Sequence, residues 1–360
     1  MTQTALALMM LVVAGRSVQA ADVPRANLDS APPPVAAMIN EAALTVEASP
    51  SSAEAWGDYA MVLHAHACKP EADIAYAEAQ RLAPSEFRWP YFRGVLQMKL
   101  DPSKALEHFD VAIELDGAYG PAYIWRGLAL EMVGRDDDDA RRDYLQAIRL
   151  QPSNASAHLH LGQLEMKQGK IDDAIGHLER ARKARPDNSA VLSSLARAYT
   201  RAGDRIRARE LADAARKTNA GARRVVGDHR FNEVAGRAVT LQSFVARANV
   251  YLKAGQSDRA LAELQRALSH YPDAGKVHES LARLYLSRRE YGKCVRSSRI
   301  ALASGRTSAS LSTVLAAGLL SLGEFDEAEI AVHAALEESP AVVEGLRVYG
   351  KIAAARGDDV

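Results

Sequence analysis

The sequence predicts an all-α solenoid of antiparallel helix pairs, and three observations carry that prediction. Small residues recur at fixed offsets, and prolines follow at a fixed distance behind them. Ala and Leu abound, and no long alternating β-branched run interrupts them. From Ala60 to Ala72 is twelve residues, and so is Gly162 to Ala174. The next intervals, of four, three and five residues, also agree: Tyr76, Ala79 and Pro84 in one stretch, Leu178, Ala181 and Pro186 in the other.

The elements follow in order. Residues 1–20 read as a signal peptide: Ala5 to Ala14 is an apolar run, too short to span a bilayer but suited to a signal-peptide core. Val18-Gln19-Ala20 offers small residues at the first and third positions of a cleavage site, although Met1 to Thr4 carries no Lys or Arg. The expectation is an exported, periplasmic protein cleaved near Ala20; the alternative is a cytoplasmic one whose leader mimics a signal. Residues 21–34, with Pro24 and Pro32-Pro33-Pro34, form a disordered tail without a core. Val35 to Ala48 is a helix that caps the array.

Eight hairpins come next. Ser51 to Glu54 reads as a capping box ahead of the first, which carries Trp56, Tyr59-Ala60, Leu63, Ala72, Tyr76 and Ala79. The second holds Gly94, Ala105, Phe109 and Ala112; the third Gly127, Ala140, Tyr144, Ala147 and Pro152; the fourth Gly162, Gly169, Ala174, Leu178 and Ala181. The fifth has Ala196, Tyr199, Gly203, Ala208 and Ala215, and the sixth Ala248, Tyr251, Gly255, Ala260, Leu264 and Ala267. The seventh, Ala282, Tyr285 and Ala301, puts Cys294 where Ala is usual, and the eighth restores the pattern with Ala316, Gly323, Ala328, Val332 and Ala335. Val342 to Ala355 matches a first helix without a partner and closes the array, since stacked repeats need polar-faced caps.

Each position has a physical reason. Small residues let the two helices of a hairpin approach, and large ones such as Leu178 fill the space beside them. Gly169 and its counterparts sit in the hairpin turn, where a positive φ favours glycine. Pro84, Pro152, Pro186, Pro272 and Pro340 stop the second helices. Asp172-Asp173 and Asp326-Glu327 meet the positive end of the dipole. One insertion breaks the period: residues 221–240, GARRVVGDHRFNEVAGRAVT, separate an N-terminal block at 35–220 from a C-terminal block at 241–360. It reads as a packed loop or extra helix, or as a hinge or partner-contact element, with Val225, Val226, Phe231 and Val234 as its anchors.

This ladder resembles the tetratricopeptide repeat, a family of helix-turn-helix units of about 34 residues. The resemblance implies a right-handed superhelix whose first helices line a concave groove that receives an extended peptide or a partner helix. Projected onto that face, the early units offer Tyr91, Phe92 and Trp125, with Glu54 and Asp58 beside them, and the later units His160, Gln163, Arg197, Arg201, Asn249, Lys253 and Arg283. The early half is aromatic and mildly acidic; the later half is basic and amide-rich. Arg197, Arg201, Lys253 and Arg283 are candidates to receive carboxylates or phosphates, and Asn249 to hold a peptide backbone. The paired Lys and Asn clamp of some chaperone adaptors is absent in its usual form, because Val245 stands four residues before Asn249.

Other chemistry is not indicated. Lys plus Arg and Asp plus Glu both number 45, a balance that argues against broad nucleic-acid binding. His64 and His66 are two apart on a helix, as are His158 and His160, so their rings diverge. Asp136 to Asp139 lacks the alternating ligands of a calcium loop and fits a helix start. There is no phosphate loop, nucleophile elbow or nucleotide fingerprint, and no later segment fit to cross a membrane. Cys68 and Cys294 lie in distant repeats and are expected as free thiols. The expected function is a non-enzymatic scaffold without cofactor or metal, binding a protein or peptide partner in assembly of a bacterial envelope complex. The alternatives are a cytoplasmic adaptor and a ligand-sensing regulator.

Overall fold

A computed structural model describes residues 22–218 and 228–356. Among these there are nineteen helices and no strand. A first helix, α1 (Pro33–Ala48), precedes five hairpins: α2 (Ala53–Ala65) with α3 (Lys69–Leu82), α4 (Arg88–Gln97) with α5 (Pro102–Leu115), α6 (Gly120–Met132) with α7 (Asp137–Leu150), α8 (Ala155–Lys167) with α9 (Ile171–Ala184), and α10 (Ser189–Arg201) with α11 (Arg205–Lys217). A short helix, α12 (Phe231–Gly236), lies in the insertion. Three more hairpins follow: α13 (Leu241–Lys253) with α14 (Ser257–His270), α15 (Gly275–Ser287) with α16 (Tyr291–Ala303), and α17 (Ala309–Leu322) with α18 (Phe325–Glu338). The array ends in α19 (Val343–Arg356). The chain divides into two compact units, residues 1–27 with 39–234 and residues 28–38 with 235–360, so the division falls within α1 and within α12.

The hairpins close because glycine and alanine remove the side chains that would hold them apart. A Cβ added to Gly127 on α6 would lie 2.6 Å from the ring of Tyr144 on α7. The equivalent atom on Gly94 would lie 2.6 Å from Phe109, and on Gly162 2.8 Å from Leu178. The three glycines thus occupy the same crossing in successive hairpins, each facing the large residue of its second helix. Ala72, Ala105, Ala140, Ala174, Ala260 and Ala328, at the matching second-helix position, are all buried, and so is Cys294, which takes that place in the seventh hairpin. In the first unit each second helix then packs on the next first helix, α3 on α4 through α9 on α10, and α6, α8 and α10 touch in sequence along one face. In the second unit α16 packs on α17 and α18 on α19, with α13, α15 and α17 also touching in sequence. Both thiols are free, and burial pushes that of Cys294 up to about 11.

The turns and caps explain where the helices begin and end. Gly169 takes φ +78° between α8 and α9. The corresponding turns of the first and seventh hairpins put Ala67 at φ 64° and Arg289 at φ 59°, where an L side chain is strained. Asp136 caps α7 by accepting the Asp138 N–H, and Asn154 and Asn188 cap α8 and α10 in the same way. The first hairpin departs from the expected capping box: Ser52, not Ser51, accepts the Ala55 N–H at 3.1 Å, which leaves Glu54 one place too early to complete the box. Glu54 pairs instead with Arg88 of α4, at 3.0 Å. A further device recurs between hairpins. Trp56 Nε1 donates to the Pro50 carbonyl at 2.9 Å, and a ring nitrogen of His158 and of His278 bonds the carbonyls of Pro152 and Pro272, both at 3.0 Å. Each bond spans six residues and ties a first helix to the loop that enters it.

Candidate ligand groove on the first-helix face

The first helices of the second and third hairpins turn three polar hydrogens to one point. Tyr91 sits one turn into α4, Tyr119 is the N-cap residue of α6, and Trp125 lies one and a half turns into the same helix. Their partner is Asp228, from the insertion. Tyr91 Oη donates to Asp228 Oδ2, Tyr119 Oη donates to Oδ1 at 2.6 Å, and Trp125 Nε1 donates to Oδ2 at 3.4 Å. Asp228 as a whole is 7 % exposed. Burial and the adjacent carboxylate hold the Tyr91 and Tyr119 phenols well above their usual range, so both remain donors throughout the ordinary pH span. Three neutral donors on a rigid helical frame form a carboxylate receptor without a cation, and charge-assisted bonds of this kind are among the stronger ones.

The residues after Asp228 continue across the same face. The Phe231 N–H donates back to Asp228 Oδ1 at 3.1 Å, closing a local turn. The His229 ring meets Tyr119 edge-on at 5.3 Å. Arg230 lays its guanidinium over Phe87, 5.7 Å from the ring centre, while pairing with Glu233 at 2.8 Å. Phe231 reaches His64 of α2, ring centres 5.8 Å apart. Burial lowers His64 to about 4, so it faces Phe231 as a neutral ring at neutral pH. The segment 228–231 therefore touches the first helices of three successive hairpins, all within the first unit.

The other expected groove residues fall in varied settings. Phe92 is fully buried against Tyr76 and Tyr91, inside the hairpin core. His160 is buried and stacked on Tyr144 at 5.8 Å. Gln163 Nε2 donates to Ser194 Oγ at 2.8 Å, and Arg197 donates to the same oxygen at 3.1 Å. Arg201 donates to the Met166 carbonyl at 2.6 Å, which ties α10 to the C-terminal end of α8. Arg283 pairs with Glu279 at 2.6 Å. Asn249 and Lys253 are exposed on α13. A cavity of about 810 Å³ along α10 and α11 is lined by Arg197, Arg205, Arg209 and Arg216 together with Ser193 and Thr200. Of the suggested insertion anchors, Phe231 is half-buried and Val234 buried, while Val225 and Val226 lie outside the described residues, as does the leader. Sequence reasoning missed Tyr119, His64, Phe87 and Asp228. The aromatic bias of the early units pointed toward this face, but the apolar anchors of the insertion gave no sign of Asp228, one of its two acidic residues. Among the described residues no group of three His, Cys, Asp or Glu side chains is placed to hold a metal, and no helix is long and apolar enough to cross a membrane.

Stacked antiparallel hairpins with small residues at each crossing, and a peptide segment lying on the first helices, define a helical-repeat protein. Comparison with known families makes this specific: residues 134–189 and 245–293 match one model of the tetratricopeptide repeat, and residues 165–226 match a second. Over these stretches, which together take in less than half of the chain, it is similar to tetratricopeptide repeats. It is 23% identical over 227 residues to anaphase-promoting complex subunit 3 of Schizosaccharomyces pombe; the match takes in 63% of this chain and 31% of that protein. The chain thus spans about a third of that relative's length. Similar solved structures include YrrB, a TPR protein with an unusual peptide-binding site, at 18% identity and a TM-score of 0.41, covering 56% of this chain and 98% of that one. MamA from Desulfovibrio magneticus RS-1 is 18% identical with a TM-score of 0.43, covering 46% and 94% of the two chains.

Proposed function

We propose that this protein is a non-catalytic scaffold that binds a segment of a partner protein along its first-helix face, and that it is exported to serve the assembly of a bacterial envelope complex. What supports the binding reading is the hold on Asp228: side chains from two hairpins grip one carboxylate of a segment that runs across a third. A face able to do this for its own chain has the donors and aromatic walls to do it for another. The arginines lining the cavity at α10 and α11 extend the same function toward anionic segments. Export is supported by the apolar run Ala5 to Ala14 and the small residues that follow it.

Site-specific photo-crosslinking tests the scaffold reading. A photoreactive residue at Gln163 or Arg197, on first helices, should give a discrete crosslinked partner in native extract. The same probe at Arg182, exposed on α9, should not. Equal yields from both faces would sink the assignment. N-terminal sequencing of the purified protein tests export: a start at Ala21 supports it, and retention of Met1 in a soluble cellular fraction points to a cytoplasmic adaptor.

A further inference from the structure

Resting on the reading that the first-helix face binds peptides, we infer that residues 228–231 are a self-ligand, and that the ligand class of this site is an acidic residue followed three positions later by an aromatic one. The inference starts from chemistry that a packing loop does not require. A loop that merely fills space is expected to anchor through apolar side chains. Here the deepest point is a carboxylate, received by the hydrogens of Tyr91, Tyr119 and Trp125, the last two at 2.6 and 3.4 Å. The second anchor is the Phe231 ring against His64, on the first helix of the hairpin before. The local turn closed by the Phe231 N–H sets the spacing between acid and aromatic. The acid engages the second and third hairpins and the aromatic ring the first, so the site reads a register as well as a charge.

The site is consequently occupied in cis. Asp228 belongs to the same chain as the face that holds it, ten positions after the C-cap of α11 at Thr218, so its effective concentration there is on the order of millimolar. A partner bearing the same acid-x-x-aromatic pattern must displace it, and its apparent affinity is reduced by the fraction of molecules in which the site is open. The Trp125 indole N–H and the Phe231 N–H discriminate acid from amide: one donates to each oxygen of Asp228 and neither can accept, so an Asn would turn its own N–H toward a donor whichever way its amide faced.

A fluorescent peptide copying Asp228 to Gly236 tests this in trans on the full chain. Polarisation should show binding at least about tenfold tighter to the Asp228→Ala/Phe231→Ala variant than to the unaltered protein. Adding Tyr91→Phe and Tyr119→Phe should abolish the gain, and a peptide with Asn at its first position should not bind. Equal affinity for the unaltered and cis-emptied chains would overturn the inference, as would no binding to a cis-emptied chain of unchanged helicity. If the emptied variant loses helicity, hydrogen exchange on the unaltered protein decides: millimolar peptide should accelerate exchange at the Arg230 and Phe231 amides, and an unchanged rate refutes the displacement. These readouts concern α2, α4 and α6, whereas the crosslinking probes sit on α8 and α10, so either idea can fail while the other stands.

Discussion

At Gly127 a missing side chain defines the structure, since the Tyr144 ring occupies the space a Cβ would need. Replacing Gly127 by Leu should overpack this crossing and cost about 1–3 kcal/mol. Urea denaturation checks it, and an unchanged midpoint would remove the glycine from the helix contact. Positions of this kind were legible in the sequence because their cause is local: the partner lies seventeen residues away, and the equivalent pairs Gly94–Phe109 and Gly162–Leu178 are fifteen and sixteen apart. Asp228 was not legible for the opposite reason. Its partners are 103 to 137 positions distant, and the insertion that carries it follows no period that could fix its register. Phe92 and His160 illustrate a finer limit. Projection onto a helix face tells which side a residue leaves from, but a turn's difference separates the inner lining of a hairpin from its open surface.

At the scale of elements, the hairpin turn is the unit that sequence identifies and structure qualifies. Glycine marks the turn between α8 and α9, yet Arg289 makes the equivalent bend between α15 and α16 with φ 59°. Arg289→Gly should relieve that strain and stabilise the protein by about 0.5–1 kcal/mol, the left-handed penalty less the extra freedom glycine gains when unfolded. Thermal melting reads this directly, and a lower melting temperature would show that the arginine side chain contributes more than the strain costs. The ends of the helices were fixed less sharply than their existence. The shift of the first cap from Ser51 to Ser52 shows why: neighbouring serines offer the same oxygen, and the choice depends on the backbone's extended turn at Ser52, φ −87° and ψ 109°.

Across the molecule, the first unit carries several histidines held neutral by burial. His64, His108 and His177 are each lowered to about 4, and His158 is lowered too. The ring nitrogen of His158 that meets the Pro152 carbonyl must donate, so its Nδ1 accepts from His177 Nδ1 at 2.9 Å, an arrangement that holds while both rings are neutral. The folded state binds these protons less readily than the unfolded chain. Their stabilisation is therefore complete above about pH 6.5 and lost as pH falls toward 4. Glu165, whose carboxyl burial pushes up, acts in the opposite sense at the lower end of that window. The melting temperature should stay level above pH 7 and fall between pH 6.5 and 4. The fall should be shallower in His177→Gln, whose amide still donates to His158 but does not titrate; an identical slope would show that the pair is not responsible.

The Trp125 indole completes the grip on Asp228, and this has an optical consequence. The chain has three tryptophans. Trp56 and Trp89 are enclosed within hairpins, so Trp125 alone of the three has its N–H on the carboxylate of the insertion. An excited indole carries a larger dipole than its ground state, and its emission responds to a nearby charge. In the Trp56→Phe/Trp89→Phe background, Asp228→Ala should shift the emission maximum of Trp125. The protein thereby carries its own gauge of whether the insertion is seated, readable without a label.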